Sequence, residues 1–298
     1  MHFVSFDAIL FLVIEMRVSH ISFDDIFLAR TREEAFAHSQ FSMHTHSLAE
    51  LFLFVSGKAV FHIEGSEYPL HPGDVVLMRP AEAHLIETDP EYPYERVIMN
   101  FDTNILTPLD PENALMRPFF SRKAGKHNLL RPSDFGTDAY LTYLTDMEQP
   151  NTTRLAMMAN LILLMQQVNL AFDRNTIVST QPDTTEYSII RYINQHLDRE
   201  LTIQELCDQF YLSRAQLCRR FKKSTGTSVG KYICIKRLIT AQHLIRQGQK
   251  PTEIFSVCGY QDYSTFYRAY TRYFGRSPKD ERDPRVPISP ETDQLEMI

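Results

Sequence analysis

The sequence SRAQLCRRFKKSTGTS at residues 213–228 recurs as DYSTFYRAYTRYFGRS at residues 262–277, an offset of 49 residues, and this repeat decides the fold of the C-terminal third. In both copies the hydrophobic positions lie four residues apart, as Leu217 and Phe221 do in the first. Residues at this spacing form one stripe along a helix, and that stripe is buried against other elements. The repeat therefore predicts two helices of the same kind, each packed by one face and free on the other.

Both predicted helices begin at residues that favour helix N-termini. Ser213 is followed three residues later by Gln216, the arrangement of a capping box, and Asp262 occupies the equivalent position in the second copy. The side-chain oxygen of such a residue accepts a hydrogen bond from a backbone N–H that has no partner within the helix. The capping residues thus fix where the two helices start.

A shorter amphipathic segment precedes each helix of the repeat. These segments run over residues 202–210 and 251–258, and in the second we predict that Ile254 and Val257 face inward. A helix, a short turn and a second helix at a steep angle form the helix-turn-helix, whose second helix enters the major groove of DNA. The sequence therefore predicts an all-α domain with two such units and double-stranded DNA as its partner.

Residues 201–282 resemble the DNA-binding domain of the AraC/XylS family of bacterial transcription regulators, which carries two helix-turn-helix units. The stretch GYQDYSTFYRAYTRYFGRSP at residues 259–278 is similar to the family signature. The chain departs from the family pattern at Tyr270 and Thr271, where a Phe-Lys pair is usual, and at Glu281, where a Tyr is usual. The resemblance implies a sequence-specific regulator controlled by a small-molecule effector, with RNA polymerase as a further partner if the protein activates transcription.

The distribution of charge supports DNA binding by the C-terminal third. The whole chain has a net charge of -6, but residues 186–282 contain 17 Lys and Arg against 9 Asp and Glu. Residues 1–185 contain 13 Lys and Arg against 24 Asp and Glu. The basic part is attracted to phosphate and the acidic part is repelled by it.

Helix position separates the side chains that reach DNA from those that pack. We expect two sets on the free faces to read base edges: Arg214, Ala215, Cys218 and Arg219 on the first helix, and Ser264, Thr265, Tyr267 and Arg268 on the second. Arg219 and Arg268 are the strongest candidates, because a guanidinium can donate two hydrogen bonds to one guanine. A second set is predicted to contact phosphates: Arg220, Lys222, Lys223 and Arg272. The alternative for each is a solvated charge or a surface salt bridge.

The middle of the chain is predicted to form an antiparallel barrel. Short β runs separated by Gly and Pro turn signals occur at residues 50–55, 59–64, 74–79, 84–88 and 95–101. The predicted fold class is multidomain: an all-β cupin-like barrel with flanking helices, followed by the all-α double helix-turn-helix domain. The predicted boundaries are residues 20–110 for the barrel, 111–173 for a helical dimerisation segment, 174–186 for a linker, 187–283 for the DNA-binding domain and 284–298 for a disordered tail.

His44, His46 and Glu50, followed by His84, resemble the cupin pattern of histidines and a glutamate inside the barrel. The resemblance implies either a polar effector pocket or a site for a first-row divalent metal, since imidazole and carboxylate ligands suit such ions. We favour the effector pocket, with no cofactor required, and a sugar or related metabolite as its ligand. A catalytic metal cupin is the third alternative, but an enzyme would have no use for the double helix-turn-helix, so we predict no enzymatic activity.

A broad apolar stripe follows the barrel. Residues 138–173 are predicted to be helical, with the stripe formed by Leu141, Leu144, Leu155, Met158, Leu161, Ile162, Met165 and Val168. By the family resemblance this segment pairs two subunits in a homodimer. Alternatively, it only covers the open edge of the barrel.

Three further features concern the compartment of the protein. Residues 8–14 form an apolar run that is too short to span a bilayer, and they fit either a core strand or a start codon misassigned upstream of Met16. We predict no transmembrane segment and no membrane partner. All four cysteines lie in the DNA-binding part without a CxxC spacing, which is typical of thiols in a reducing compartment. These features predict a cytoplasmic protein.

Overall fold

The computed structural model describes residues 15–23, 25–34, 43–175, 185–225 and 227–282. The predictions for residues 1–14, for the linker from residue 176 to 184 and for the tail from residue 284 lie outside the described residues.

The N-terminal part is a barrel of two antiparallel sheets. The six-stranded sheet has the order β1-β2-β8-β3-β6-β9 and the three-stranded sheet the order β5-β4-β7. All five predicted β runs are confirmed as strands, whereas the sequence did not indicate β1, β2, β5 or β9. The strands are β1 (Glu15–Phe23), β2 (Ile26–Glu33), β3 (Ala49–Ser56), β4 (Ala59–Ile63), β5 (Ser66–Pro69), β6 (Val75–Met78), β7 (His84–Thr88), β8 (Tyr94–Phe101) and β9 (Leu129–Leu130).

The central strand β3 belongs to two hydrophobic cores, because successive side chains of a strand point to opposite faces of the sheet. Leu51 and Leu53 join the core between the large sheet and the helices outside it. Phe52 and Phe54 join the core inside the barrel. The sequence of a strand that is buried on both faces is a nearly continuous run of apolar residues, as in AELFLFVS.

Four helices follow the barrel: α1 (Arg117–Phe120), α2 (Pro132–Phe135), α3 (Ala139–Met147) and α4 (Arg154–Arg174). One face of α4 packs on the large sheet through Leu161, Met165 and Val168. Other residues of α4 are exposed, and Leu155, which was predicted to belong to the buried stripe, is 80% exposed. By length and composition alone α4 could cross a membrane. Its packing against the barrel identifies it as a core helix.

The C-terminal domain contains α5 (Thr185–Gln195), α6 (Ile203–Phe210), α7 (Arg214–Thr225), α8 (Val229–Arg246), α9 (Pro251–Ile254) and α10 (Tyr263–Phe274). The helices of the repeat are α7 and α10, and their stripe residues Leu217, Phe221, Phe266 and Tyr270 are fully buried. The long helix α8 joins the two units, since Ile233 lies in the core of the first and Leu238 in the core of the second.

The structure corrects one predicted segment. The segment predicted as 251–258 is helical only to Ile254, after which the chain turns towards Gly259. Ile254 is buried as predicted, but the prediction that Val257 faces inward is wrong, because its side chain is 63% exposed. The error arises because helical periodicity was extended beyond the point at which the helix ends.

Candidate nucleic-acid interface and effector site

Both recognition helices begin at the predicted capping residues. The backbone N–H of Gln216 donates to Ser213 Oγ at 3.3 Å, and Gln216 Oε1 accepts from the backbone N–H of Ser213 at 3.0 Å. Asp262 accepts the backbone N–H and the hydroxyl of Thr265, both at 2.8 Å. The backbone hydrogen bond from Thr265 is the main cause that lowers the pKa of the Asp262 carboxyl. The two caps fix the start of each helix, and therefore which side chains point away from the core.

All twelve side chains that were assigned to DNA from the sequence are exposed, and they lie on α7 and α10 outside the buried stripes. Three of them have partners within the described part of the chain. The Thr265 hydroxyl is held by the Asp262 cap, and Arg268 Nη2 reaches it at 3.4 Å. Arg220 lies 3.6 Å from Glu186, an exposed ion pair of the kind that contributes little. None of these contacts removes the residues from the surface that α7 and α10 present.

The predicted effector residues converge at one end of the barrel. Glu50 lies on β3 and His84 on β7, while His44 forms a β-bridge to His84 through two backbone hydrogen bonds of 3.0 and 2.9 Å. Glu50 Oε2 lies 2.8 Å from His46 Nε2 and 3.9 Å from His84 Nε2. Ligand atoms of His46, Glu50 and His84 all lie within 4.8 Å of one another. We call His44, His46, Glu50 and His84 the histidine cluster.

The electrostatics of the histidine cluster favour an ionised glutamate and a neutral His84. Burial alone would raise the pKa of Glu50, but the hydrogen bond from His46 and the neighbouring imidazoles lower it to about 2. Burial, followed by the nearby His44, lowers the pKa of His84 to about 3. His84 Nδ1 donates to the carbonyl of Glu82 at 2.8 Å, so Nε2 carries a lone pair. This buried Nε2 has no hydrogen-bond partner among the described residues.

The barrel interior behind the histidine cluster is filled with aromatic side chains. Phe52 and Phe61 are buried edge to face, with ring centroids 4.9 Å apart, and Phe61 lies 5.9 Å from the ring of His84. These phenylalanines pack with Phe54 into one core. Within the cluster, His44 and His46 are half-buried, whereas Glu50 and His84 are buried.

The contacts that join the barrel to the DNA-binding domain were not predicted from the sequence. Glu64, in the β4–β5 turn, accepts hydrogen bonds from Lys236 of α8, from Asn194 of α5 and from the backbone N–H of Ala83. The ammonium of Lys236 also bonds to the carbonyl of Ala81. Glu64 and Lys236 are 172 residues apart in the chain, so no local pattern could pair them.

A second set of contacts runs from the barrel to the end of α10. Arg246 of α8 donates to Ser47 Oγ at 3.2 Å and pairs with Glu281 at 2.7 Å. Glu281 also accepts from the hydroxyl of Tyr270 at 2.9 Å and from Arg276 at 2.8 Å. Tyr270 and Glu281 are two of the positions where the chain departs from the family pattern. The structure shows that the two departures compensate each other through a direct hydrogen bond.

The two domains match known families in the order in which they lie in the chain. Residues 30–123 match the AraC-like ligand binding domain, and residues 206–283 match a helix-turn-helix domain. The chain is similar to the HTH-type transcriptional activator RhaS of Escherichia fergusonii, with 26% identity over 261 residues, which cover 82% of this chain and 88% of the relative. It is also similar to the transcriptional regulator LumQ of Photobacterium leiognathi, with 25% identity over 236 residues, which cover 79% and 89%.

Among solved structures, the chain is similar to ToxT from Vibrio cholerae, at 13% identity and a TM-score of 0.35, covering 87% of this chain and 97% of that one. The order of the matched domains and the curated relatives agree with the double helix-turn-helix and the barrel described above. The chain belongs to the AraC family of transcription regulators.

Proposed function

We propose that the protein binds operator DNA through the exposed faces of α7 and α10, and that a ligand at the histidine cluster controls this binding or the activation of transcription. The observation that carries the DNA proposal is the pair of capped helices, each with a fully buried stripe and an exposed polar face. Two such helices in one chain suit successive major-groove faces of DNA, about 34–36 Å apart.

Genome-wide footprinting of the tagged protein tests the DNA proposal. The wild type should occupy discrete sites, and Arg219→Ala and Arg268→Ala should each lose them, because each removes one base-reading guanidinium. Arg32→Ala, an exposed arginine of the barrel, is the matched control and should keep every site. Discrete sites that survive in both recognition-helix variants would refute the assignment of these residues.

The histidine cluster is proposed as the effector site. An ionised Glu50, a neutral His84 with an unused Nε2 and two half-buried histidines supply acceptors and donors for a polar ligand such as a sugar. A thermal-shift screen of sugars and related metabolites on the full-length protein tests this. A stabilising compound should lose its effect in His84→Ala and Glu50→Gln, and the proposal fails if both variants still respond.

A divalent metal is the second candidate for this site. His46, Glu50 and His84 would hold the ion, because their ligand atoms already lie close together and His84 Nε2 is free of other bonds. Such an ion would offer Lewis acidity and an open position for an oxygen atom of the effector. Metal analysis of the purified wild type and of His84→Ala distinguishes the two candidates. About one equivalent of metal in the wild type that is lost in His84→Ala indicates a metal site. Absence of metal from both proteins indicates a polar pocket.

Control of DNA binding is proposed to pass through the contacts beside the histidine cluster. The carbonyl of His46 accepts the backbone N–H of Ala81 at 2.9 Å, and Ala81 in turn bonds to Lys236. Ser47, the next residue after His46, bonds to Arg246. A ligand that displaced His46 would thus act directly on α8, which joins the two helix-turn-helix units.

We further propose a homodimer in the cytoplasm, without enzymatic activity, that contacts RNA polymerase if it activates transcription. Leu155, Ala159, Leu163 and Leu170 lie on one exposed side of α4 at spacings suited to helix pairing. Sedimentation analysis should show a dimer that dissociates in Leu163→Lys. Leu109→Lys, which adds the same charge at another exposed leucine, should stay dimeric. If Leu163→Lys remains a dimer, α4 does not pair the subunits and only covers the barrel.

A further inference from the structure

The two helix-turn-helix units have separate hydrophobic cores, and the helix α8 contributes to both. Phe221 of α7 lies in the core of the first unit, and Phe266 of α10 lies in the core of the second. Because long helices are rarely straight, one shared helix does not by itself fix the orientation of two units. The segments that the units place against each other beside α8 therefore help to fix the distance between the recognition helices.

Arg237 of α8 contacts the non-helical segments of both units. Its Nε donates to the carbonyl of Leu197 at 2.9 Å, and its Nη2 donates to the carbonyl of Arg199. Both carbonyls lie in the segment between α5 and α6, in the first unit. The same guanidinium lies 5.9 Å from the ring centroid of Tyr260, in the turn between α9 and α10. One side chain thus joins the two units.

The segments that Arg237 joins are themselves anchored to the recognition helices. In the first unit, the side chain of Arg199 donates to both oxygens of Glu205 on α6, at 3.1 and 2.5 Å. The helix α6 in turn packs against α7. In the second unit, the ring of Tyr260 packs edge to face on Phe266 of α10, with centroids 5.4 Å apart. A change at Arg237 is therefore transmitted to both α7 and α10.

Gly259 brings the backbone of the second unit directly against the first. Its φ is +79°, and a Cβ at this position would lie 2.2 Å from the carbonyl oxygen of Leu197 and 2.7 Å from the guanidinium of Arg237. Any larger residue would push the turn of the second unit away from the segment after α5. Glycine is therefore required here for the close approach of the two units as well as for the backbone conformation.

We propose that Arg237 and Gly259 form a clamp that fixes the distance and orientation between α7 and α10 and thereby determines the spacing of the two half-sites in the operator. The inference rests on the proposed binding of DNA by both recognition helices. Successive major-groove faces lie about 34–36 Å apart, and each base pair between half-sites adds about 3.4 Å and about 35° of rotation. Two helices held at a fixed distance can read only one spacing, whereas helices that move relative to each other can read several.

In vitro selection from a random DNA library by the full-length protein identifies the two-part site that the wild type prefers. Affinity is then measured for this site and for versions with one base pair inserted or deleted between the half-sites. The wild type should bind the altered versions about tenfold or more weakly, because one recognition helix loses its base contacts. We call the ratio of the affinities for the preferred and the altered spacing the spacing ratio.

Arg237→Ala should lower the spacing ratio to about threefold or less, because the segment between α5 and α6 loses its hydrogen bonds to α8. Arg237→Lys keeps the charge but not the fork of donors, and it should give an intermediate ratio. A lost positive charge weakens binding at every spacing alike, so the ratio reports geometry and not charge. Both variants should still bind DNA that carries a single half-site, which shows that they are folded.

Gly259→Ala tests the direct contact between the units and should also lower the spacing ratio. Gly275→Ala is the matched control. Gly275 has a φ of +68°, but no described atom lies within 4 Å of a Cβ at this position. The control therefore imposes a similar backbone strain without pushing the units apart, and it should keep the wild-type ratio.

Two results would overturn the clamp and leave the proposed function intact. The first is a wild type that selects only a single half-site or binds all spacings equally. The second is a wild-type ratio in both Arg237→Ala and Gly259→Ala. An equal fall in Gly259→Ala and Gly275→Ala, with Arg237→Ala unchanged, would also overturn it, because backbone strain would be the cause. If the wild type selects no DNA sequence at all, the proposed function fails and the clamp fails with it.

Discussion

The two helix-turn-helix units share one frame but differ in the chemistry of their exposed faces. The recognition helix of the first unit, α7, carries five basic residues: Arg214, Arg219, Arg220, Lys222 and Lys223. The recognition helix of the second, α10, carries only Arg268 and Arg272, together with the exposed Tyr267. We therefore expect one repeated fold to make two kinds of contact: the first unit should supply most of the positive charge that is attracted to phosphate, and the second should rely on fewer and more specific groups.

The units also differ in the polar contacts made by the C-terminal part of each recognition helix. In the first, the hydroxyl of Thr225 donates to the carbonyl of Phe221 at 2.8 Å, a neutral contact. In the second, the buried carboxylate of Glu281 is bound by Arg246, Arg276 and Tyr270. Removing one member of a buried charged group leaves its partners unpaired and is strongly destabilising. The stability of the second unit therefore depends on Glu281, and the first unit has no equivalent residue among those that the structure describes.

The largest expected effect comes from removing that residue. Glu281→Ala leaves Arg246 and Arg276 without their common carboxylate, and we expect the free energy of unfolding to fall by about 3–5 kcal/mol. Urea denaturation measures the loss. Asp280→Ala, which removes a neighbouring exposed carboxylate, is the control and should cost about 1 kcal/mol or less. A loss below about 1 kcal/mol in Glu281→Ala would mean that the two units do not differ in this respect.

The compensation between Tyr270 and Glu281 can be measured separately. Tyr270→Phe should destabilise the wild type by about 1.5–3 kcal/mol, because its hydroxyl donates to a charged group. In the Glu281→Ala background, Tyr270→Phe should lower the free energy of unfolding much less, because the acceptor of the hydrogen bond is absent. Equal costs in the two backgrounds would show that the two departures from the family pattern are independent.

A substitution that keeps the charge of a side chain but changes its geometry should separate contacts to bases from contacts to phosphates. Arg268→Lys retains the positive charge but loses the fork of donors that matches guanine. We expect discrimination at one base pair to fall by about 1–3 kcal/mol while affinity for non-specific DNA stays the same. Binding to a library of single-base operator variants measures this. Arg272→Lys should leave every position unchanged, and a uniform loss in Arg268→Lys would assign Arg268 to a phosphate.

The elements of both units were predictable because their signals are local. Ser213, Asp262 and the four-residue spacing of Leu217 and Phe221 lie within one or two helical turns, so the sequence fixes helix start and buried face together. The histidine cluster was predictable for another reason: His44, His46, Glu50 and His84 occur in an order that resembles the cupin pattern.

What the sequence could not predict depends on long-range packing. The strands β1 and β2 carry many polar residues and pair at the edge of the sheet, so they lack an apolar run. The filled barrel interior was also missed, because the sequence does not show whether Phe52 and Phe61 line a pocket or pack together. The ion pair between Lys236 and Glu64 was also missed, because neither residue belongs to a motif.

The docking of the second unit should depend on pH. Burial, with Arg246 and Arg79 nearby, lowers the pKa of His243 to about 4, although Asp102 opposes this. The folded state keeps His243 neutral, while the unfolded chain takes up a proton below pH 6.5. Stability that is present above pH 6.5 is therefore lost as the pH falls towards 4.

Denaturation at two pH values measures this effect. Between pH 6.5 and 5.5 the free energy of unfolding should fall by about 1 kcal/mol more in the wild type than in His243→Gln. His127→Gln, at an exposed histidine, should keep the pH dependence of the wild type. If His243→Gln also keeps the pH dependence of the wild type, the packing of His243 against Phe120 does not prevent protonation of the imidazole.

The smallest effect per residue concerns the charge of α7, and it bears most directly on the comparison of the two units. Each phosphate contact contributes about 0.9 to the slope of log affinity against log salt concentration. Lys222→Ala and Lys223→Ala should therefore each reduce the slope by about 0.9, with uniform weakening across operator sequences. Affinity measured at several salt concentrations tests this, with Lys58→Ala, an exposed lysine of the barrel, as control. If Arg272→Ala on α10 reduces the slope while both lysine variants do not, the phosphate charge is supplied by the second unit, and the division between the units is reversed.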